Sequence, residues 1–214
     1  MNRDLSNYRK IYDKRELLID DVSSNPLELF QEWFQEIDEK FPEEEANAMT
    51  LSTIGTDGFP KGRVVLLKEL NAEGFIFYTN YDSEKGQSIL AQPNVSLSFF
   101  WHKLERQVII KGIAKKVSAA TSDAYFQSRP RGSQLGALIS QQSTIVSKTD
   151  LEQKLIDVEA ALEGQTIERP EYWGGFIVEP VAFEFWQGRP NRLHDRLSYT
   201  SNDGKSWKID RLSP

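Results

Sequence analysis

Apolar residues recur at helical spacing in one stretch near the start of the chain. The sequence Asn25-Pro26-Leu27-Glu28 has the residue types of a helix start, with Asn as the N-cap, Pro at the first helical position and Glu as the partner of the cap. The apolar positions that follow recur every three or four residues, which predicts a helix with one buried face. These positions are Phe30, Trp33, Phe34, Ile37 and Phe41.

From residue 49 onward the spacing of apolar residues is typical of β-strands. Short apolar runs, several of them alternating with polar residues, are separated by turn sequences such as Thr-Asp-Gly and Asn-Ala-Glu-Gly. The runs predict strands over residues 49–54, 63–70, 75–79, 94–101, 106–117, 175–186, 196–200 and 207–212.

Helical patterns lie between these strands. A short helix is expected between Ser83, a typical N-cap, and Pro93, and an amphipathic helix is expected before Gly164. Residues 118–139 have helical composition with a break at residues 129–132. Short strands joined by hairpin turns, with helices inserted, predict a mainly β fold, namely a small antiparallel barrel decorated by helices. We interpret residues 1–214 as a single domain.

Length and composition limit the class of protein. The chain has 214 residues, and 39% of them are hydrophobic, which suits one domain with its own core. The mean hydropathy is −0.52 and no apolar run approaches the ~20 residues of a membrane span, so no membrane partner is expected. The chain has no cysteine, and residues 1–20 have no apolar signal region. A reducing, cytoplasmic location is therefore expected.

The overall charge excludes further classes. A net charge of −6 and an isoelectric point near 5.1 argue against a general nucleic-acid binder. The two histidines, His102 and His194, are far apart in sequence, so no metal site is expected. The acidic stretch at residues 28–45 is interpreted as a solvated helix face.

Arginines cluster in two places. In an acidic protein, Arg beside Gly, Pro and aromatic residues suits a pocket for a small anion such as phosphate, which guanidinium binds bidentately. Surface salt bridging is the alternative and stays open. The clusters comprise Arg129 with Arg131, and Arg189, Arg192 and Arg196 with His194.

A second candidate anion site lies around the predicted short helix. Thr79, the helix start at Ser83 and Lys85 together offer a hydroxyl, backbone N–H groups and an ammonium, which suits a phosphate. Ser83 as a plain cap is the alternative. Arg63 and Lys68 lie at the two ends of an apolar strand. Either they are charged residues where the strand leaves the core, or they bind a ligand. The common motifs of nucleotide-binding loops, serine hydrolases and zinc proteases are absent from the sequence.

Seven segments, taken in chain order, carry a resemblance to a known family. Together they resemble pyridoxine/pyridoxamine 5′-phosphate oxidases, and the resemblance runs from about Tyr8 to the C-terminus. The segments are Arg63-Val64-Val65-Leu66-Leu67-Lys68, Phe77-Tyr78-Thr79-Asn80, residues 101–108, residues 128–134, Trp173-Gly174-Gly175-Phe176, Phe185-Trp186-Gln187-Gly188 and Arg192-Leu193-His194-Asp195-Arg196.

The resemblance implies an FMN-binding split β-barrel, antiparallel and Greek-key-like, that works as a homodimer with flavin at the subunit interface. The implied reaction oxidises pyridoxine or pyridoxamine 5′-phosphate to pyridoxal 5′-phosphate, with O2 as electron acceptor and H2O2 as product. The implied FMN-binding residues are Arg63, Val64, Val65, Leu66, Leu67, Lys68, Tyr78, Thr79, Lys85 and Gln107. Gln142, Ser143, Trp186 and Arg196 match positions that complete the site from the partner subunit.

The resemblance also implies how the substrate is held. Arg192 and His194 are expected over the pyridine ring as the catalytic pair, and residues 1–20 form a mobile segment that closes over the substrate. The implied substrate-binding residues are Arg9, Tyr12, Lys68, Tyr125, Arg129, Ser133, Arg192 and His194. The four-residue spacing of Tyr125, Arg129 and Ser133 places them on one helix face if the helix continues through Pro130.

One position departs from the family pattern, and two other functions stay open. The family has Ser-Arg-Lys where this chain has Ser83-Glu84-Lys85. A carboxylate cannot bond a phosphate dianion, so we expect Glu84 to point away or to weaken cofactor binding. The alternatives are a non-catalytic flavin- or vitamin-phosphate-binding protein and a flavin reductase that uses a nicotinamide cofactor. A protein that binds only flavin has no need of a second phosphate pocket together with a ring clamp.

Overall fold

The architecture comes from a computed structural model that describes residues 3–201, 203 and 206–214. Its helices are α1 (Pro26–Lys40), α2 (Glu84–Ala91), α3 (Ala119–Ser128), α4 (Arg131–Ile139) and α5 (Lys148–Ala161). Its strands are β1 (Ala48–Ile54), β2 (Pro60–Leu66), β3 (Glu69–Asn71), β4 (Gly74–Asn80), β5 (Asn94–Trp101), β6 (Arg106–Lys116), β7 (Trp173–Gln187), β8 (Asp195–Thr200) and β9 (Lys208–Leu212). Short 3₁₀ turns occur at Ile19–Asp21 and Pro190–Arg192.

The strands form one sheet in the order β2-β1-β5-β6-β7-β4-β3, and β8 pairs with β7 and β9. Strand β7 pairs antiparallel with β4 over its first half, where Phe176 lies opposite Phe77. Over its second half β7 pairs antiparallel with β8, where Phe185 lies opposite Leu197. Within the described residues, no helix has the length and apolar character needed to cross a bilayer.

The structure corrects one predicted strand and confirms one predicted helix break. The strand predicted at residues 63–70 is interrupted between Leu66 and Glu69, because the Lys68 N–H donates to the Ile76 carbonyl (2.9 Å) and turns the chain toward β4. The predicted break in residues 118–139 is confirmed, because α3 ends at Ser128 and Pro130 is the N-cap of α4. Residues 125, 129 and 133 therefore do not share one helix face, since that face required the helix to continue through Pro130.

The chain forms two compact units, each assembled from stretches that are distant in sequence. Unit 1 comprises the described parts of Met1–Met49, Leu97–Lys111 and Val181–Pro214. Unit 2 comprises Thr50–Ser96 and Gly112–Pro180. The interpretation of residues 1–214 as a single domain stays a prediction.

The core of unit 1 forms under helix α1. The helix begins as predicted, with the Asn25 side chain accepting a hydrogen bond from the Leu27 N–H (3.1 Å). On its buried face, the Phe30 ring lies 5.0 Å from Phe99, in an edge-on arrangement. Trp33 packs edge-on against Phe185 at 5.2 Å. Apolar burial against the sheet therefore holds the helix in place.

A buried ion pair lies beside this core. Arg106 is 5% exposed, and it donates to Glu36 (2.7 Å) and to Gln187 (2.9 Å). Its guanidinium also lies 4.3 Å from the Trp33 ring centre. Burial alone would raise the pKa of Glu36, but hydrogen bonds from Lys40 and Arg106 hold that pKa below its ordinary value. The pair joins α1 to strands β6 and β7.

The core of unit 2 forms where α3 and α4 cover the first half of β7. Arg131, at the start of α4, donates to the carbonyl oxygens of Leu162 and Gln165. Arg169 donates to Asp123 and to the Trp173 carbonyl, each at 2.6 Å. These arginines fix loops by satisfying backbone acceptors. The apolar residues buried here are Phe126, Leu135, Ala137, Ile167 and Trp173.

Replacing Arg106 with Leu is expected to lower the free energy of unfolding by roughly 1–3 kcal/mol, because the buried Gln187 oxygen would lose its donor and Glu36 would keep only its more exposed partners Arg15 and Lys40. Urea denaturation of the protein at fixed concentration measures the change. Lys115→Leu is the control, because it removes an exposed pair with Glu179 and should cost less than ~1 kcal/mol. Equal losses in the two variants would contradict this assignment.

Candidate functional site

A cavity of about 310 Å³ in unit 2 contains many of the residues that the sequence singled out. Three cationic side chains line it, from the end of β2, the start of α2 and the end of α3. Among the described residues, no carboxylate lines it. Its walls are formed by Val64, Val65, Leu66, Lys68, Tyr78, Thr79, Asn80, Lys85, Tyr125, Arg129, Gln142 and Trp173.

Lys85 is held at the start of helix α2. Ser83 caps this helix as predicted, and the Lys85 ammonium donates to Thr79 Oγ1 (3.1 Å) and Ser83 Oγ (3.3 Å). Burial, together with the positive charge of Arg63, lowers the pKa of Lys85 to about 8. Gly86 is required next to it, because a Cβ there would lie 2.2 Å from the Tyr81 carbonyl oxygen. The result is a buried cation at the N-terminus of a helix, which suits an anion.

Arg129 carries a buried nitrogen that lacks a partner. Among the described residues, Nη1 of Arg129 is the buried side-chain nitrogen or oxygen for which no hydrogen bond is found. The guanidinium lies 4.5 Å from the Trp173 ring centre, and burial lowers its pKa. Tyr125 stacks on Tyr78 at 3.8 Å, and burial raises the pKa of both phenols, which keeps both hydroxyls protonated near neutral pH. An unpaired buried guanidinium nitrogen is explained by an anionic ligand.

Arg63 and Glu84 lie close to this cavity without lining it. Arg63 donates to the Leu51 carbonyl (3.1 Å) and to Thr53 Oγ1 (2.8 Å), which fixes its guanidinium against β1. The Glu84 carboxylate pairs with Lys61 at 2.5 Å. The position that departs from the family pattern is thus neutralised by a nearby cation.

A second group of predicted residues lies in unit 1. A cavity of about 630 Å³ there is lined by Tyr8, Arg9, Lys10, Ile11, Tyr12, Arg189, Pro190, Asn191, Arg192 and His194. Beside it, three aromatic side chains form a cluster: the His194 ring lies 4.7 Å from Trp186 and 5.9 Å from Tyr12. The Tyr12 ring meets Trp186 edge-on at 5.7 Å. The predicted N-terminal residues and the predicted ring clamp are therefore neighbours.

The hydrogen bonding of His194 defines its proton position. Its Nδ1 accepts the Arg189 backbone N–H at 3.0 Å, so the neutral ring carries its proton on Nε2. Burial and the positive charge of Arg192 lower the pKa of His194, while Asp195 opposes this shift. The imidazole is therefore neutral near pH 7 and presents a donor.

Arg192 and Arg196 have different surroundings. Arg192 is exposed and adopts a left-handed backbone (φ 62°), directly after Asn191 (φ 58°). Such a conformation is uncommon outside glycine and is found at functional sites. Arg196 is paired with Glu184 (2.9 Å) and also donates to the Ser213 carbonyl (2.6 Å).

The remaining predicted residues are more scattered. Ser133 is exposed on α4, Gln107 is half-buried in β6 of unit 1, and Leu67 is buried. Ser143 accepts the Glu84 backbone N–H (3.2 Å), so it lies beside the start of α2 in its own chain. The implied contribution of residues 142, 143, 186 and 196 to a partner's site stays a prediction.

Several residues that line these sites were not among the predicted site residues, and they include Asn80, Trp173 and Arg189. Asn80 and Trp173 line the unit 2 cavity, and Arg189 holds His194. Asn80 and Trp173 belong to segments that carried the family resemblance, and Arg189 belongs to an arginine cluster. Each residue therefore belonged to a segment that the sequence analysis had noted, but nothing in that segment indicated that this residue lines a cavity or contacts His194.

Family models match most of the chain. The model described as pyridoxamine 5′-phosphate oxidase matches residues 35–161, and the model described as the pyridoxine 5′-phosphate oxidase C-terminal dimerisation region matches residues 173–214. The chain belongs to the pyridoxine/pyridoxamine 5′-phosphate oxidase family. The family resemblance found in the sequence is therefore confirmed, and with it the prediction that the protein is an oxidoreductase.

Relatives at high identity carry the family's name. A pyridoxine/pyridoxamine 5′-phosphate oxidase of Flavobacterium johnsoniae is 61% identical over 98% of this chain and 99% of its own length. One from Flavobacterium psychrophilum is 58% identical over 99% of this chain and 100% of its own length. Membership thus extends over the whole length of these relatives.

Solved structures confirm the fold class. PhzG from Burkholderia lata, in complex with tetrahydrophenazine-1-carboxylic acid, is 28% identical, with a TM-score of 0.85 over 94% of this chain and 100% of PhzG. An FMN-binding protein from Nostoc punctiforme, related to pyridoxamine 5′-phosphate oxidase, is 16% identical, with a TM-score of 0.71 over 90% of this chain and 99% of its own. The predicted mainly β split-barrel fold with inserted helices is confirmed.

Replacing Lys85 with Met is expected to raise the free energy of unfolding of the ligand-free protein by roughly 1–3 kcal/mol at pH 7. Folding lowers the pKa of Lys85 from 10.5 to about 8, so the cost of burying its charge is complete below pH 8. This cost disappears as the pH rises to 10.5, where the unfolded chain is also neutral.

The measurement for this prediction is urea denaturation of the ligand-free protein at several pH values between 7 and 10.5. Lys148→Met is the control, because Lys148 is an exposed lysine on α5 and its removal should change the free energy of unfolding little. A gain for Lys85→Met that is unchanged at the alkaline end would contradict the prediction.

Proposed function

We propose that this protein is an FMN-dependent oxidase that converts pyridoxine or pyridoxamine 5′-phosphate to pyridoxal 5′-phosphate, with O2 as electron acceptor and H2O2 as product. The observation that carries this proposal is the unpartnered buried nitrogen of Arg129, in a cavity that also contains Lys68 and Lys85. A cavity with three cationic side chains and no carboxylate among its described lining residues suits two ligands that each carry a phosphate, namely the cofactor and the substrate. Family membership supports the same reaction.

The residues present fit the phosphate end of FMN. Lys85 and Thr79, at the N-terminus of α2, would hold a phosphate, and the apolar Val64–Leu66 wall suits a flat ring. When bound, FMN would accept a hydride equivalent from the substrate and pass two electrons to O2. The other residues proposed to contact FMN are Arg63, Leu67, Lys68, Tyr78 and Gln107, together with residues 142, 143, 186 and 196 of the partner subunit.

The substrate phosphate is assigned to the Arg129 side of the cavity. The free Nη1 of Arg129 would donate to a phosphate oxygen, together with the Tyr125 hydroxyl and the Lys68 ammonium. Stacking on Tyr78 and Trp173 keeps Tyr125 and Arg129 in place before substrate arrives. Such preorganisation lets the phosphate contacts position the reacting carbon.

The pyridine ring is assigned to Arg192 and His194. With its proton on Nε2, His194 would donate a hydrogen bond to a substrate oxygen, and the Arg189 N–H keeps it in that tautomer. Accepting a proton at Nε2 would require the proton to move to Nδ1 and would break the Arg189 contact. An orienting donor is therefore favoured over a general base.

We also propose a homodimer that completes the flavin site, located in the cytoplasm. The match to a C-terminal dimerisation region supports the dimer. The lack of cysteine supports a reducing compartment.

The experiment that tests the function starts from purified protein whose FMN content is measured by absorbance. Under air, pyridoxine 5′-phosphate should yield equal amounts of pyridoxal 5′-phosphate and H2O2. Pyridoxamine 5′-phosphate should in addition consume water and release ammonia. Bound flavin without aldehyde formation would support a flavin-binding protein instead, and flavin reduction by a nicotinamide cofactor would support a reductase.

Replacing Arg129 with Ala is expected to raise KM, with a loss of roughly 2–5 kcal/mol in kcat/KM, because the substrate phosphate would be poorly paired in ground and transition states alike. Arg192→Ala is expected to lower kcat, because the ring would be misplaced. Steady-state kinetics at equal FMN occupancy measures both effects. The two assignments are reversed if Arg192→Ala keeps kcat while Arg129→Ala abolishes it.

Substitutions of His194 separate its two nitrogens. His194→Asn keeps an acceptor near Nδ1 for the Arg189 N–H but removes the Nε2 donor, so kcat should fall by about tenfold. Protonation of the wild-type ring would break the Arg189 contact, and the pKa of His194 is lowered from 6.5. Activity of the wild-type protein should therefore fall only as the pH drops below 6.5, and this acid limb should be absent in His194→Asn. An identical acid limb in both proteins would exclude His194 as its source.

A further inference from the structure

The N-terminal segment (residues 3–18) is attached to unit 1 through its backbone. The Glu105 carboxylate accepts two consecutive N–H groups, those of Asp13 (3.0 Å) and Lys14 (3.2 Å), on a single oxygen. Farther along the segment, Asp195 accepts the Leu17 N–H at 3.1 Å. Arg189 and Arg211 add bonds to the carbonyl oxygens of Arg15 and Leu17, so the Glu105 contacts are the attachment nearest to Tyr12.

The Glu105 carboxylate is itself rigidly placed. Glu105 is 7% exposed and has a left-handed backbone (φ 56°). Its carbonyl oxygen accepts the Gly188 N–H (2.8 Å) and the Gln187 side-chain amide (3.2 Å). Gln187 in turn accepts from the buried Arg106. The strained turn is thus held by the same polar network that joins β6 to β7.

Tyr12 immediately precedes the two residues that Glu105 holds. Its ring reaches the Trp186 and His194 rings, and its Cβ lies against Gly188. A Cβ on Gly188 would lie 2.8 Å from the Tyr12 Cβ and 3.1 Å from the Glu105 Cβ. Gly188 therefore leaves the space that Tyr12 occupies.

We propose that Glu105 is a positioning residue that fixes the N-terminal segment so that Tyr12 packs on His194 and Trp186. The proposal rests on the proposed function, in which His194 contacts the substrate ring. Glu105 itself touches no substrate, and it acts through the backbone of residues 13 and 14. Its loss should weaken substrate binding and leave the flavin site filled.

The kinetic test compares Glu105→Leu with Glu105→Gln, which keeps an oxygen acceptor. Loss of both N–H contacts should raise the KM for pyridoxine 5′-phosphate by about tenfold in Glu105→Leu, with kcat and FMN content within twofold of wild type. The Gln variant should be intermediate. The control is Glu44→Gln, a carboxylate beside His102 in unit 1, which should leave KM unchanged. An unchanged KM in Glu105→Leu, or a loss of FMN with a lowered melting temperature, overturns the proposal.

A double-mutant cycle tests whether Glu105 acts through Tyr12. In a Tyr12→Ala background, Glu105→Leu should cause little further increase in KM, because the side chain that it positions is gone. Gly188→Ala should reproduce the KM increase in the wild-type background by displacing Tyr12. Fully additive effects of Tyr12→Ala and Glu105→Leu overturn the proposal.

Limited proteolysis tests the attachment without depending on activity. Trypsin cleavage after Arg9, Lys10 and Lys14 should be faster in Glu105→Leu than in wild type or Glu44→Gln. If Glu105→Leu is cleaved faster but the wild-type protein has no oxidase activity, the attachment by Glu105 is supported and the proposed function is rejected. Equal cleavage rates in an active enzyme would reject the attachment alone.

Discussion

The cost of burying positive charge is the constraint that organises both units. In unit 1 the chain supplies its own counter-charge, because Glu36 accepts from the buried Arg106 and Gln187 satisfies a second nitrogen. In unit 2 no carboxylate lines the described cavity that contains the buried cations. Lys85 is buried with a lowered pKa, and a nitrogen of Arg129 has no partner. The first arrangement stabilises a fold, and the second prepares a site.

This contrast explains why ligand and fold depend on each other in unit 2. An anion that reaches Lys85 and Arg129 removes a penalty that the folded protein bears alone, so binding it stabilises the native state. The aromatic stack of Tyr78, Tyr125 and Trp173 holds the Arg129 guanidinium against the Trp173 ring at little entropic cost, because these side chains have few rotatable bonds. In the function proposed above, both ligands of this cavity carry phosphate.

Local structure could be predicted from the sequence wherever a few neighbouring residues decide it. Asn25 and Ser83 cap helices because their side chains bond to N–H groups within three residues. The interruption of the strand at Lys68 was missed, because it depends on a bond to Ile76 in another strand. Arg131 was grouped with anion-binding arginines, although it serves backbone carbonyl groups some thirty residues away.

In the candidate site, too, some features could be predicted from the sequence and others depend on distant contacts. Lys68, Lys85 and Arg129 came from the family resemblance, and the structure places all three in one cavity. The contact between Glu105 and the backbone of residue 13 joins positions 92 apart in sequence, and no periodicity or motif records it. Such contacts follow from the tertiary arrangement alone, so a single sequence does not show them.

The pairing of Lys61 with Glu84 has a consequence for how this chain can change. The two charges cancel at the rim of the cavity, so replacing either residue alone shifts the local charge by one unit beside Lys85. Exchanging both for a neutral pair, or reversing them together, leaves that charge as it is. We therefore expect substitutions at positions 61 and 84 to be coupled: a change of charge at one position disturbs the site least when the other position changes in the opposite sense.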